Sequence, residues 1–212
     1  MTHSLHRQGS EKSLQKDYIF LCTPSKGIND RGAKEKLLKV LDIVIAIGPS
    51  NIGFYGHGSL LNNISIADVK ENFDDNSRVR CSFDSKEKIK EALRLVKLEN
   101  LGLSIAVSGL KKELKEISLE LGLEPHTINI SCGYYGKISR LPSSKVLELS
   151  TMCGHGMIGF NLVQDIIRKL KDGDIDDKQA VHQLGEPCTC GIFNPTRARE
   201  ILTDVKDIGD IL

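Results

Sequence analysis

The chain has 212 residues, 40% of them hydrophobic and 27% charged, which is typical of a folded globular protein rather than a disordered one. Lys and Arg number 29 and Asp and Glu number 28, and this balance argues against a nucleic-acid coat protein or a membrane-surface protein, either of which carries a basic excess. No apolar run approaches the ~18 residues that cross a bilayer, and the N-terminus lacks the hydrophobic stretch of a secretory signal. We therefore expect a cytoplasmic protein with no nucleic-acid or membrane partner.

The N-terminal part of the chain begins with a predicted strand over residues 18–22 and a predicted helix over 31–45. The apolar run 43–47 is also compatible with a strand, because a short apolar run does not define its own period. Residues 48–63 are rich in glycine and are predicted to form a flexible loop, of a kind that often closes over small substrates.

The middle of the chain alternates strand and helix patterns. Strands are predicted over residues 79–83, 103–107 and 127–131, and helices over 86–98 and 110–121. Asp84 and Glu87 resemble the capping box of the first helix, and the nearly continuous apolar run of the second strand is typical of a strand buried on both faces. The crossovers are long enough to join parallel strands. The sequence therefore predicts an α/β fold with a βαβαβ core and a mixed or parallel sheet, in a domain over residues 1–140.

The C-terminal part, residues 141–212, is predicted to be a small helical unit. Its helices are expected over residues 144–150, 156–171, 177–184 and 195–203. Asp176 and Asn194 stand where N-caps are expected, and Asn194 is followed by proline at the first helical position. Arg197 lies near the start of the last helix, where the helix dipole does not favour a cation, so we expect it to have a specific partner.

Two short turns of the helical unit carry metal-ligand residues. Cys153 and His155 share one turn, Cys188 and Cys190 share the other, and glycines in each turn allow both side chains to face one point. Each turn precedes a predicted helix, whose N-terminus favours the thiolate form that binds metal. These four residues form a Cys₃His set that suits zinc or an iron–sulfur cluster.

The metal and its role stay open at this point. Four ligands would close a structural zinc site, whereas the cysteines alone would hold a cluster with one iron open to substrate and with His155 beside it as an acid or base. The spacing is not that of an ordinary zinc ribbon or ferredoxin. Cys188 and Cys190 also suit a thiol redox pair, and buried cysteines can simply pack.

Four further residues are candidates for catalysis. Cys132 follows the third predicted strand, at the carboxyl end where α/β sheets collect ligands, or it is only a turn residue. Lys137 and Arg140 follow closely and can pair with a carboxylate substrate or offset the negative charge of a thiolate-bound metal, or they form a solvated face. His57, in the glycine-rich loop, is either a general base or an exposed turn residue.

The sequence leaves the roles of His3 and His6, in the polar N-terminus, open. The leading hypothesis is a cytosolic metalloprotein, an oxidoreductase or lyase that acts on a small polar molecule with an iron–sulfur cluster or zinc. The alternatives are a non-enzymatic binding module with a structural zinc and a thiol-redox protein.

Overall fold

A five-stranded sheet forms the centre of the computed structural model, which describes residues 2–55 and 57–207, with side chains from 4–55 and 57–205. The strands are β1 Tyr18–Thr23, β2 Asn51–Phe54, β3 Gly58–Ser59, β4 Val79–Phe83 and β5 Ser104–Ser108. The helices are α1 Glu11–Leu14, α2 Ala33–Ile47, α3 Ile66–Glu71, α4 Lys86–Glu99, α5 Lys111–Glu120, α6 Ser144–Ser150, α7 Phe160–Asp172, α8 Asp177–Gly185 and α9 Pro195–Asp207.

The sheet is antiparallel, so the predicted mixed or parallel sheet is wrong. Its order is β3-β2-β4-β1-β5, and every pair of neighbours runs antiparallel. The strands β1 and β2 run parallel to each other and are joined through α2, but β4 lies between them in the sheet. The strands β4 and β5 are likewise parallel and joined through α4, and β1 lies between them. Each crossover therefore skips one place, which an antiparallel strand fills. This is the split βαβ arrangement of ferredoxin-like folds.

The third predicted strand, over residues 127–131, is also wrong. This stretch has no strand structure, and Ile128 and Ile130 are 66% and 57% exposed. Their alternation with polar residues fits a strand, but a strand also needs a partner edge, and the pattern alone does not supply one. The strand β5 is confirmed as an element. It is an edge strand that is mostly half-buried, rather than a strand enclosed on both faces.

The helices of the sheet region follow the predicted apolar stripes. The helix α2 continues through the run 43–47, so the alternative strand there is excluded. The helix α4 begins at Lys86 as predicted, but its N-cap is Ser85 rather than Asp84, because the Ser85 hydroxyl accepts the hydrogen bond from the Lys88 backbone N–H. The predicted loop over 48–63 contains the β2–β3 hairpin.

The four predicted C-terminal helices are present as α6 to α9. Asp176 caps α8 in a reciprocal pair with Gln179. The Asn194 side-chain oxygen accepts from the Arg197 backbone N–H at 3.2 Å, as expected of an N-cap. The helix α7 begins at Phe160, four residues later than predicted, because the first cysteine turn occupies the residues before it.

Two hydrophobic cores lie on opposite faces of the sheet. Tyr18 and Phe20 point into the core under α2 and α4. Ile19, between them, belongs to the core of the helical unit formed by α6 to α9. Because successive residues of a strand face opposite sides, β1 contributes to both cores. The helical unit therefore packs on the sheet face that α2 and α4 leave open.

Within the described ranges, no helix is both long enough and apolar enough to cross a membrane.

Candidate metal centre

The two cysteine turns of the helical unit meet in the interior. Cys153, Cys188 and Cys190 are only 2%, 0% and 2% exposed. The Cys188 Sγ lies 3.8 Å from the Cys190 Sγ, and the Cys190 Sγ lies 3.5 Å from the His155 Nδ1. Cys188 also hydrogen-bonds the Cys153 sulfur. The fold thus brings together all four residues that the sequence pattern grouped.

Backbone amides of the turns point at two of these sulfurs. The N–H groups of His155 and Met157 donate to Cys153, and that of Ile192 donates to Cys190. The sequence pattern assigned this role to the starts of the following helices, but α7 and α9 begin several residues further on. The turn amides instead stabilise negative charge on the sulfurs, through hydrogen bonds that ionised acceptors strengthen.

The three thiols have unequal acidities. The hydrogen bond from Cys188 lowers the pKa of Cys153 to about 6 and that of Cys190 to about 5. The pKa of Cys188 is raised, because it is the donor between the two other sulfurs and is itself buried. Because its single proton serves one acceptor at a time, the Cys188 thiol favours the thiolate form of one neighbour, Cys153 or Cys190, at any moment. A cation bound among the sulfurs would neutralise that charge.

A contact between two glycines joins this cluster to the sheet. A Cβ atom added to Gly53 of β2 would lie 2.2 Å from the Gly191 backbone nitrogen, and one added to Gly191 would lie 1.9 Å from the Gly53 nitrogen. Gly191 also has a φ of +72°, in the left-handed region that favours glycine. Any side chain at either position would separate the second cysteine turn from the sheet.

A buried ionic network lies behind the second cysteine turn. Arg197 is fully buried, as the expectation of a specific partner requires, and its Nη1 lies 2.5 Å from the Asp17 Oδ2. Arg7 reaches the same Asp17 oxygen at 2.5 Å and also donates to the Ile192 carbonyl, two residues after Cys190. Sequence reasoning missed Arg7 and Asp17, because neither has local features that indicate burial.

The contacts around the cysteines run as a chain, from Cys153 through Cys188 and Cys190 to His155. In the described part of the protein, no group of three or more His, Cys, Asp or Glu side chains has the spacing of a metal site as it stands. Hydrogen bonds, rather than a common centre, hold the four side chains in this arrangement.

A cavity of about 370 Å³ opens beside Cys153. His6 and residues of the first cysteine turn line it, together with Ile158 and Phe160 at the start of α7. His6 therefore lies near the cluster, whereas the side chain of His3 lies outside the described residues.

The four candidate catalytic residues are exposed and lie elsewhere. His57 lies in the β2–β3 turn with its ring centroid 4.6 Å from that of Phe54. Cys132, Lys137 and Arg140 follow the segment that was predicted as a strand. In the described ranges, none of the four has a hydrogen bond, ion pair or ring contact with the cysteine cluster. The structure does not bring them together with the four residues of the two cysteine turns.

Comparison with protein-family models, with curated proteins and with solved structures finds no match for this chain. Its function is therefore inferred from the geometry of the site.

Proposed function

We propose that this protein binds a single zinc ion through Cys153, His155, Cys188 and Cys190. Tetrahedral zinc, with Zn–S near 2.3 Å and Zn–N near 2.0–2.1 Å, separates two sulfur ligands by about 3.8 Å and a sulfur from a nitrogen by about 3.5 Å. The Cys188–Cys190 and Cys190–His155 distances are 3.8 Å and 3.5 Å. Two of the six edges of a zinc tetrahedron thus match observed contacts, and this match is the observation that carries the proposal.

The same distances favour one ion over an iron–sulfur cluster. In a cubane cluster each cysteine binds a different iron, which keeps the ligand sulfurs well beyond contact distance. Cys188 and Cys190 are in contact, and two residues apart in the chain. A mononuclear site suits this spacing without rearrangement of the turn.

Zinc binding would release the thiol proton that holds the metal-free cysteine cluster together. Zinc binds thiolates, so its binding displaces the proton that Cys188 donates to its neighbours. With that proton gone, three thiolates and a neutral imidazole surround a dication. The chain of hydrogen bonds would then be replaced by bonds to one centre.

Four protein ligands leave no open position, which favours a structural role for the zinc. The ion would tie the turn after α6 to the turn after α8. Through the Gly53–Gly191 contact it would also hold the helical unit on the sheet. We therefore propose a zinc-stabilised binding protein, acting in a reducing compartment such as the cytoplasm, where the six cysteines stay free of disulfides.

A second candidate function is zinc-dependent catalysis, supported by the cavity beside Cys153. If His155 leaves the ion to a water or a substrate atom, the site becomes an open three-cysteine site that can polarise a small polar molecule. His6 lines the same cavity and would supply an acid–base group there. Lyase chemistry would then take place there.

Elemental analysis of protein purified without oxygen and without added metal tests the zinc proposal. We expect one zinc per chain in the wild type, loss of zinc in Cys188→Ser, and retention in Cys132→Ser, whose cysteine is exposed. Iron with equimolar sulfide would overturn the zinc proposal in favour of a cluster. Metal-free protein with a reversible Cys188–Cys190 disulfide would favour a redox protein instead.

The variant His155→Ala separates the structural from the catalytic role. A structural zinc predicts weaker zinc binding and a lower melting temperature for the helical unit. Retention of zinc with unchanged stability, together with a newly bound water or added imidazole, would favour the catalytic role.

A further inference from the structure

The sheet face that carries the helical unit has a cationic end. Ser82 of β4 faces the helical unit, since its hydroxyl donates to the Phe193 carbonyl at 3.3 Å. The side chain two residues earlier, that of Arg80, shares that face because a strand alternates with a period of two. Arg78 lies just before β4, and its Nε donates to the hydroxyl of Thr23 on the neighbouring strand β1. Thr23 is on the same face of β1 as Ile19, which belongs to the core of the helical unit, and neither arginine is fully buried. Two guanidinium groups thus lie on the same sheet face as the second cysteine turn.

Among the described residues, neither Arg78 nor Arg80 has an ion-pair partner. Arg7, Arg94, Arg168 and Arg197 each bind a carboxylate. Among the residues that the structure describes, no Asp or Glu oxygen lies within 4.0 Å of Arg78 or Arg80, and Arg78 donates only to the Thr23 hydroxyl, at 3.1 Å. Burial lowers the pKa of Arg80 and the charge of Arg78 lowers it further. An anion bound here would relieve that repulsion.

An aromatic ring completes this surface. The Arg80 guanidinium lies over the ring of Tyr55, with its carbon 5.5 Å from the ring centroid. Tyr55 is 67% exposed in the β2–β3 turn. A ring that is held by a cation on one side and open to solvent on the other can stack against a planar ligand.

We propose that Arg78, Arg80 and Tyr55 form a binding site for a free nucleotide. The arginines take the phosphate groups, which their planar guanidinium forks match in geometry and charge. The exposed side of the Tyr55 ring stacks on the base. The site is independent of the zinc ligands, although its Arg80 lies close enough to Cys190 to feel the charge of that sulfur.

The occupant is a single nucleotide rather than a nucleic-acid strand. One ring and two arginines provide for one base and the phosphate groups of a single nucleotide. The whole chain has a net charge of only +1, without the basic excess that a polymer-binding surface carries.

Isothermal titration of the full-length, metal-loaded protein with ADP and with inorganic pyrophosphate tests this site. We expect ADP to bind, Arg80→Gln to weaken both ligands at least tenfold, and Tyr55→Leu to weaken ADP while leaving pyrophosphate unchanged. Arg94→Gln is the matched control, because this exposed arginine pairs with Glu91 on the far side of the sheet and its loss leaves ADP binding unchanged. Zinc content is measured for each variant, so that a failed metal site is distinguished from a failed nucleotide site.

Several results would overturn the proposal. One is absence of ADP binding by the wild type, and another is wild-type affinity in Arg80→Gln with normal zinc content. Equal affinity of the wild type for ADP and pyrophosphate, unaffected by Tyr55→Leu, would exclude stacking of the base. A single-stranded octanucleotide that binds more than tenfold tighter than ADP would show that the occupant is a strand.

Discussion

At the scale of single residues, the glycine contact between β2 and the second cysteine turn sets the separation of sheet and helical unit. The backbone of Gly191 approaches Gly53 more closely than any side chain permits. The position of Cys190 relative to the sheet therefore depends on the absence of two Cβ atoms.

Gly53→Ala should destabilise the protein by about 1–3 kcal/mol, the usual cost of overpacking a well-packed interior. The added Cβ would lie 2.2 Å from backbone atoms of Cys190 and Gly191, which cannot move as a flexible side chain does. Urea unfolding measures this loss, and we also expect weaker zinc retention. Gly159→Ala is the control, since its Cβ meets no atom within 4 Å. Equal stabilities of the two variants would contradict the role given to this contact.

Asp17 is a second residue on which the packing of distant segments depends, because its side chain binds two arginines. Its carboxylate accepts from both Arg7 and Arg197, and all three side chains are buried. Asp17→Asn should cost about 3–5 kcal/mol, because it leaves the buried Arg7 without a counter-charge and leaves Arg197 with only the Glu148 carboxylate, 3.6 Å away. Chemical denaturation provides the measurement.

Lys16→Gln is the matched control for Asp17→Asn. It removes the exposed ion pair with Glu200, and such pairs contribute about 0–1 kcal/mol. If Asp17→Asn costs no more than Lys16→Gln, the buried network does not stabilise the fold.

At the scale of elements, β1 is the central organiser, since it pairs with β4 and β5 and contributes side chains to both cores. Its Cys22 is fully buried. Burial raises the pKa of this thiol from 9.0 to about 12. The neutral thiol is therefore favoured in the folded state, and β1 has a titratable group that links folding to alkaline pH.

The stability of the protein should fall as pH rises above 9. A thiol whose pKa is raised by folding contributes its full stabilisation below the unfolded value of 9.0 and loses it as pH approaches the folded value of about 12. One such thiol costs about 2 kcal/mol by pH 10.5. Urea unfolding of metal-loaded protein between pH 8.5 and 10.5, under reducing conditions, measures the slope.

Cys22→Val should make this slope shallower, because valine does not titrate and suits a buried strand position. Cys132→Ser should keep the wild-type slope, since Cys132 is exposed. A Cys22→Val slope equal to that of the wild type would show that another group causes the alkaline loss.

Among the elements, the helices were the most predictable. Caps such as Asp176 and Asn194, and apolar stripes with helical spacing, are local features that act within one or two turns of chain. Strand identity was partly predictable, but residues 127–131 show its limit. A period-two pattern becomes a strand only where another backbone edge is available to pair with it.

At the scale of the whole molecule, apolar contacts and buried hydrogen bonds join the helical unit to the sheet. Ile19 of β1 belongs to the helical core. Asn51 and Ser82 both donate to the Phe193 carbonyl, at 3.2 Å and 3.3 Å. Separation of the two parts would expose an apolar side chain and leave these polar groups without their partners.

The metal-loaded protein should therefore unfold in one cooperative transition, because these contacts couple the two cores. Far-UV circular dichroism follows the helices of both parts, whereas tyrosine fluorescence follows only residues before 140, since the four tyrosines are Tyr18, Tyr55, Tyr134 and Tyr135. The two signals should give coincident urea curves. Two separate transitions, divided near residue 140, would show instead that the α/β part and the helical unit fold independently.

The sequence by itself determined the local features of this protein. It grouped Cys153 with His155 and Cys188 with Cys190, because ligand spacing and glycine content are properties of short turns. It also located the four C-terminal helices, whose caps and apolar stripes are local. The meeting of the two cysteine turns was an inference from chemistry, and the fold places the four side chains together.

Only the tertiary structure decided the strand order, the burial of Arg7 and Asp17, and the pairing of Arg80 with Tyr55. Each joins residues distant in the chain: Arg7 meets Ile192 across 185 positions. Strand direction likewise depends on which later strand fills the place that a crossover skips. Such choices are set by the free energy of the whole packed molecule, which no short stretch of sequence contains.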